Sequence, residues 1–345
     1  MKPTMKDIAQ DAGVSTASVS LVLNNKPSRI PEVTRQRIMD SASKLGYRSF
    51  DAAEYVSPQK GSGIIGVILP ESDDFSQHEY LLGIENYATI YHYKIIICPL
   101  ASNTKAAITC IHFLRELGID GIIMVPPDDM NKDENNQRLG EALQAIRRPF
   151  VLLSRAIDRV FTDFVTSDFK AGAYLAVEHL ILNGHCRIGV LSDAPEIYNT
   201  RKKLEGFEEA LMFYGYSLRK EDIYQGNGSI SCGYEGAKYF DKCGIDSILS
   251  MDEQSAFGVY QYARDNSIRI GEDLSLVSFG NSPVCGILSP ALTTVNEEYI
   301  QMGKKACERL ILRMEGKDKD GPKNSYFVPI LTERHSVSKT APVQE

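Results

Sequence analysis

At 345 residues, 43% hydrophobic and 24% charged, the chain has an ordinary globular composition and is too long for one small module. It has no apolar run of the roughly 18 residues that a membrane span needs. Its first residues, MKPTMKDIAQ, are polar and mixed in charge, so no secretory leader is expected and the reading is a cytoplasmic protein. The net charge of −7 is uneven: residues 1–60 hold nine Lys/Arg against six Asp/Glu, an excess of three positive charges that leaves ten negative ones on the remainder. A basic arm on an acidic body turns toward phosphate while the body is repelled. The seven cysteines are odd in number and form no Cys-x-x-Cys pair, which predicts buried, reduced thiols.

The first 48 residues predict three short helices. Met5, Ile8, Ala9 and Ala12 have the i, i+3, i+4, i+7 spacing of one helix face, and Gly13 supplies a stop. Ser15 suits an N-cap for a second helix in which Val19, Val22 and Leu23 share a face. Asn24-Asn25-Lys26-Pro27-Ser28 breaks it. Pro31 fits the first turn of a third helix carrying Ile38, Ala42 and Leu45, ended by Gly46. Two helices joined by a Gly-containing turn, with a third packed on them, is the helix-turn-helix plan. Residues 49–62 form a linker able to make a short helix from Asp51 to Val56.

From Ile64 the pattern becomes α/β. Apolar runs at Ile64–Leu69, Lys94–Cys98, Gly121–Val125, Phe150–Leu153, Arg187–Leu191, Ser247–Ser250, Leu274–Phe279 and Tyr326–Ile330 predict strands. Segments such as Leu81–Tyr91, Lys105–Leu117 and Lys170–Asn183 have helical length, so the alternation predicts parallel sheets covered by helices. About 280 residues of this pattern exceed one compact core, which predicts two lobes with a ligand cleft at the strand carboxyl ends. The expected boundaries are 63–162 with 290–324 for the first lobe, and 163–289 with 325–340 for the second.

These segments resemble the lactose-repressor family of bacterial transcription regulators. Thr4-x-x-Asp7-Ile8-Ala9-x-x-Ala12-Gly13-Val14-Ser15 and Ser18-Val19-Ser20-x-Val22-Leu23-Asn24 are similar to its headpiece, as are Thr34-Arg35-x-Arg37-Ile38 and Leu45-Gly46-Tyr47-Arg48. In the body, Asp120-Gly121-Ile122-Ile123, Ser167-Asp168-x-x-Ala171-Gly172, His179-Leu180-x-x-x-Gly184-His185-x-x-Ile188-Gly189 and Pro290-x-Leu292-Thr293-Thr294-Val295 continue the likeness. The resemblance implies an all-α DNA-binding headpiece at 1–48, a hinge helix and linker at 49–62, and a two-lobed periplasmic-binding-protein-like core at 63–340. It implies a repressor acting as a homodimer on near-palindromic double-stranded operator DNA, with a sugar-related or anionic small molecule as effector.

In such a headpiece the N-terminal residues of the second helix face base edges. The resemblance assigns Thr16, Ala17 and Leu21 to bases, and Ser15, Asn24, Arg29 and Thr34 to phosphates. Thr4, Met5, Ser20 and Tyr47 complete the DNA-facing set, and Ala53 and Val56 are the hinge residues, with Val56 entering the minor groove. The family commonly has Arg where Leu21 stands, and Leu offers only apolar contact, for instance to a thymine methyl. Ser49, Phe50 and Glu54 replace the usual Pro, Asn and Arg or Gln, and Glu54 near phosphate weakens the grip.

For the cleft, the resemblance points to Ser72, Asp74, Phe75, Ser154, Tyr198, Lys203, Met251 and Gly280. Four of these depart from the sugar-binding pattern: Ser154 replaces Asp, Lys203 replaces Arg, Met251 replaces Asn and Gly280 replaces Asp. Three readings follow: a less hydroxylated or anionic ligand with Lys203 as charge partner, a sugar held by other residues such as Gln77 or His78, or control by a partner protein. The last rests on Gly83 to Lys94 and on Asn199-x-x-Lys202-Lys203-x-x-Gly206-Phe207, which resemble the catabolite-control branch of the family, regulated by a phosphorylated carrier protein.

An enzyme is not expected. Gly226-Asn227-Gly228 opens no complete dinucleotide fingerprint, and neither a P-loop nor a Gly-x-Ser-x-Gly elbow occurs. His179 and His185, six residues apart, lack metal-ligand spacing on one helix face, so no metal or cofactor is expected. A solute receptor would share the body's fold but have no use for residues 1–48. No leucine heptads follow Ile330, so a dimer is expected without a tetramer-forming coiled coil.

Overall fold

The computed structural model describes residues 5–23, 30–44, 61–70, 75–100, 103–130, 132–157 and 160–339. The chain divides into two compact units, Met1–Lys60 and Gly61–Glu345.

In the first unit, α1 (Met5–Ala12), α2 (Thr16–Leu23) and α3 (Glu32–Lys44) enclose a small core of Ile8, Ala9, Ala12, Val19, Val22, Ile38 and Ala42. The expected signals operate. Gly13 lies at φ 65° after α1, and Val14 N–H donates back to Ala9 O at 3.0 Å. Ser15 Oγ caps α2 by accepting from Ser18 N at 3.1 Å. Asp11 ties α1 to α3, accepting from Ser41 Oγ at 2.7 Å and Lys44 Nζ at 2.9 Å. Hydrogen bonds from Lys44 and Ser41 hold the Asp11 carboxyl below its usual range.

The second unit opens with β1 (Ile64–Pro70), α4 (Phe75–Ile90), β2 (Lys94–Leu100), α5 (Thr104–Glu116), β3 (Gly121–Met124), α6 (Asp133–Ala145), β4 (Phe150–Leu153) and β5 (Asp163–Ser167). It continues through α7 (Phe169–Leu182), β6 (Gly189–Ser192), α8 (Tyr198–Phe213), β7 (Ile223–Gln225), α9 (Ile230–Lys242), β8 (Ser247–Ser250), α10 (Glu253–Asp265) and β9 (Ser275–Phe279). It closes with α11 (Pro283–Ile287), β10 (Thr293–Asn296), α12 (Tyr299–Met314), β11 (Asn324–Phe327) and β12 (Ile330–Thr332).

Two sheets form, ordered β2-β1-β3-β4-β5-β11 and β7-β6-β8-β9-β10-β12. Every pair is parallel except β10 with β12. Parallel sheets are covered on both faces, which is why their strands read as continuous apolar runs. In the first lobe Ile65, Val67 and Val151 meet Tyr80 and Ile84 of α4 and Met302 and Leu310 of α12. On the opposite face Ile68, Ile122 and Leu152 meet Ile111 and Leu114 of α5 and Leu139 and Leu143 of α6. The second lobe repeats the plan, with α7 and α8 supplying Leu180 and Phe207 to one face, and α9 and α10 supplying Phe240 and Val259 to the other.

The expected lobe boundaries need correction. β5, residues 163–167, belongs to the first sheet, and β10, residues 293–296, to the second. The single run expected at Tyr326–Ile330 is two strands, β11 in the first sheet and β12 in the second. The chain therefore passes between lobes three times, after β5, after β10 and after β11. All seven cysteines are free; Cys98, Cys285 and Cys307 are buried as expected, whereas Cys186 is exposed. Burial pushes the Cys98 thiol up to about 11 and the Cys285 and Cys307 thiols up to about 12, so these three stay protonated. Among the described residues no helix is long and apolar enough to cross a membrane.

Candidate functional site

A cavity of about 890 Å³ lies between the lobes. Its walls come from the strand carboxyl ends: Pro70 closes β1, Ser154 and Arg155 follow β4, Asp193 follows β6, Met251 to Glu253 follow β8 and Glu297 follows β10. That is where open α/β sheets bind ligands, and the volume is that of a small-molecule site.

Of the expected cleft residues, Ser154, Lys203, Met251 and Gly280 line this cavity together. Phe75 and Tyr198 do not. Phe75 opens α4 and is exposed, while Tyr198 packs its ring on Phe164 of the first lobe, with centroids 6.4 Å apart. Ser72 and Asp74 lie outside the described residues. Gln77 lines the cavity.

Lys203 is the deeper of the two cations that line the cavity. It is 7% exposed, and its Nζ donates to Met251 O at 3.0 Å, stands 3.5 Å from Glu297 Oε1 and lies 3.9 Å from the centre of the Phe279 ring. Tyr299 donates its hydroxyl to Glu297 Oε2. The lysine's charge is thus balanced within the protein by Glu297, which weighs against the one of the three readings that pairs it with an anion. Arg155, the other cation of the lining, pairs with Asp128.

Gly280 also has a different explanation from a missing ligand contact. Its φ is 93°, and a Cβ there would fall 2.5 Å from Glu253 Oε1. The Glu253 carboxylate occupies the space a side chain at 280 would need, and its Oε1 accepts from Ser282 N–H at 2.6 Å. Asp252 caps α10, accepting from Ser255 N at 2.7 Å and Ser255 Oγ at 2.8 Å. Burial pushes the Asp252 carboxyl up to about 7; Asp193 adds to the rise, against the Ser255 hydrogen bonds and the Lys203 charge.

Across the cleft, Asn199 Nδ2 of α8 donates to Ser154 Oγ at 3.1 Å. Ser154 sits at φ 68°, a left-handed conformation that a serine adopts only when its surroundings hold it. Its N–H donates to Val165 O at 2.8 Å and its carbonyl accepts from Thr166 Oγ1 at 2.8 Å.

Sequence reading missed Asp128, Asp193, Glu253 and Glu297 as lining residues. Asp193 and Glu253 follow the predicted strands at Arg187–Leu191 and Ser247–Ser250, so the strand-end rule could have found them. Glu297 follows β10, which was not predicted. Among the described residues no three His, Cys, Asp or Glu side chains come together as metal ligands.

In the first unit, Ser15, Thr16 and Ala17 are exposed and Met5, Ser20, Leu21 and Thr34 half-buried. Ala17 and Leu21 stand one turn apart, opposite the buried Val19 and Val22, and Leu21 is not part of the apolar cluster. Thr4, Asn24, Arg29, Tyr47, Ala53 and Val56, with Ser49, Phe50 and Glu54, lie outside the described residues.

Comparison with known proteins agrees with this division. Residues 4–49 match the bacterial regulatory proteins of the lacI family, and residues 177–337 match a periplasmic binding protein-like domain. The HTH-type transcriptional repressor PurR of Aliivibrio salmonicida (strain LFI1238) is 26% identical over 347 residues, covering 97% of this chain and 99% of the relative. Catabolite control protein A of Priestia megaterium is 29% identical over 329 residues, 92% of this chain and 94% of the relative. A crystal structure of the Lac repressor dimer bound to operator and the anti-inducer ONPF shares the fold, with a TM-score of 0.81 at 22% identity over 98% of this chain and 100% of the other. The chain carries a lacI-family helix-turn-helix domain and a periplasmic-binding-protein-like core, and it is similar over nearly its whole length to DNA-binding transcriptional regulators.

Proposed function

We propose that this chain represses transcription by binding a near-palindromic double-stranded operator as a homodimer, and that a small polar molecule in the interlobe cleft sets its operator affinity. The observation that carries the reading is the ligand-sized cavity at the strand carboxyl ends of a chain that also carries a lacI-type headpiece. The Lac repressor structure holds both an operator and a small molecule, which supports the same division of labour.

In this reading α2 enters the major groove with Thr16, Ala17 and Leu21 toward base edges, while Ser15, Asn24, Arg29 and Thr34 meet phosphates. Thr4, Met5, Ser20 and Tyr47 flank that surface, and Ala53 and Val56 act at the minor groove. The exposure of Thr16 and Ala17 and the outward placement of Leu21 support it.

A carrier-protein partner has less support. Lys203, Gly206 and Phe207, part of the likeness that suggested one, are buried in the cleft and core. Five carboxylates against two cations in the lining also disfavour an anionic ligand.

Selection of binding sites from random duplex DNA by the full chain tests the reading. A twofold-symmetric consensus is expected, with thymine at the position Leu21 reads. Enrichment of asymmetric or sequence-independent DNA would overturn it.

A further inference from the structure

Helix α8 belongs to the second lobe, yet its first turn ends on the first. The body of the helix is fixed to its own lobe, where Phe207, Ala210 and Leu211 share a core with Ala173, Val177 and Leu180 of α7. At Gly206 the two helices lie so close that a Cβ would fall 2.0 Å from Lys170 O.

The first turn points the other way. The Tyr198 ring packs on the core of the first lobe, edge-on to the buried Phe164, with centroids 6.4 Å apart and planes at 81°. That is an arrangement aromatic pairs favour. Beside it, Asn199 Nδ2 donates to Ser154 Oγ at 3.1 Å. One turn further on, Lys203 Nζ stands 3.5 Å from Glu297 Oε1, where the chain returns to the first lobe after β10. An aromatic pair, a hydrogen bond and a buried ion pair thus join α8 to the first lobe. Each is made between protein groups, so none needs a ligand to form. Because the body of α8 is locked onto α7, the helix cannot follow the first lobe if the lobes part, and the contacts of its first turn must break.

We propose that α8 is a strap that holds the lobes together in the ligand-free protein, so that closure of the cleft is a property of the chain and not of what binds in it. Ser154, Asn199 and Lys203 also line the cavity. A molecule bound there meets the strap itself, and shifts the lobes only by the difference between its contacts to the two states. The proposal concerns the lobes alone and stands apart from the reading of the cleft as an effector site.

Fluorescence energy transfer between the lobes of the full, ligand-free chain tests it. Dyes are attached through noncanonical residues at the exposed Glu134 of α6 and Lys242 of α9, and labelled chains are diluted in unlabelled ones so that each assembly carries one labelled copy. The wild type is expected to show one dominant short-distance population. Asn199→Ala and Tyr198→Leu, each folded by circular dichroism, should enlarge the long-distance population at least about threefold. Lys202→Ala, in the same turn but paired within α8 to Glu205, should leave the distribution unchanged. A wild type dominated by the long distance, or spread evenly over a range, would overturn the strap before any variant is made. Folded variants that keep the wild-type distribution would overturn it too. So would an equal shift in Lys202→Ala, which would trace the change to a loosened helix and not to its first-lobe contacts. If neither variant folds, the wild-type distribution decides.

Discussion

Lys203 shows how a residue can be placed by resemblance while its partner goes unseen. Its aliphatic stem and ammonium are enclosed by Phe279, Met251 O and Glu297. Removing one partner of a buried ion pair costs about 3–5 kcal/mol, because the other charge stays desolvated. Lys203→Met is therefore expected to lower unfolding free energy by roughly that amount in urea titrations, and Lys203→Met/Glu297→Gln to recover much of it. Asp252 gives a pH signature. Its folded-state pKa, about 7, is above the ordinary 3.8, so the folded state holds a proton that the unfolded state releases. Stability from this group is full below about pH 4 and is lost as pH rises toward 7, with a slope of up to about 1.4 kcal/mol per unit. Asp193 and Lys203 face it and move with opposite sign. Asp252→Asn should flatten the pH 4–7 slope of the melting temperature; an unchanged slope would refute the assignment. The family resemblance placed Ser154, Lys203, Met251 and Gly280 at one cleft, three of them just after strands and Lys203 on α8. It could not show that Glu253 fills the space beside Gly280, since that substitution in space joins residues far apart in the chain.

At the scale of elements, helices were more legible than polar strands. β5 reads Asp-Phe-Val-Thr-Ser and β10 reads Thr-Thr-Val-Asn, neither an apolar run. Both are buried because tertiary partners satisfy their polar groups. Asp163 of β5 takes hydrogen bonds from Arg313 Nη2 at 2.9 Å, Arg309 Nη2 at 3.2 Å and Lys323 N at 2.7 Å. Burial alone would raise the Asp163 carboxyl, and hydrogen bonds from Arg313, Lys323 and Arg309 outweigh it and hold it low. Such a group contributes stability above its unfolded pKa and loses it as pH falls, so Asp163→Ala should cost about 3–5 kcal/mol at pH 7 and progressively less in acid. The α4–α12 contact is set by Gly83, where a Cβ would fall 2.0 Å from Ile300 O. Backbone cannot yield as a side chain can. Gly83→Val should destabilise by at least the roughly 1–3 kcal/mol typical of overpacking, read as a drop in the denaturant midpoint. The Tyr326–Ile330 run split because Pro329 has no N–H for a ladder, a break the apolar pattern hid.

For the whole molecule, the positive excess of residues 1–60 and the acidic remainder give operator binding a strong dependence on salt. Glu54→Arg is expected to raise operator affinity and to steepen the log–log salt dependence by about 0.9 per added phosphate contact in each protomer. Fluorescence anisotropy at several salt concentrations measures both quantities, and an unchanged slope would place residue 54 away from the DNA. The three passages between lobes have a further consequence. Each lobe is assembled from two separated stretches, 61–167 with 297–327 and 168–296 with 328–339. Neither lobe is a cassette that one recombination event could lift out and exchange. Divergence toward new signals must then proceed by point changes at strand ends, while the headpiece, a contiguous stretch ahead of them, remains free to be shuffled whole.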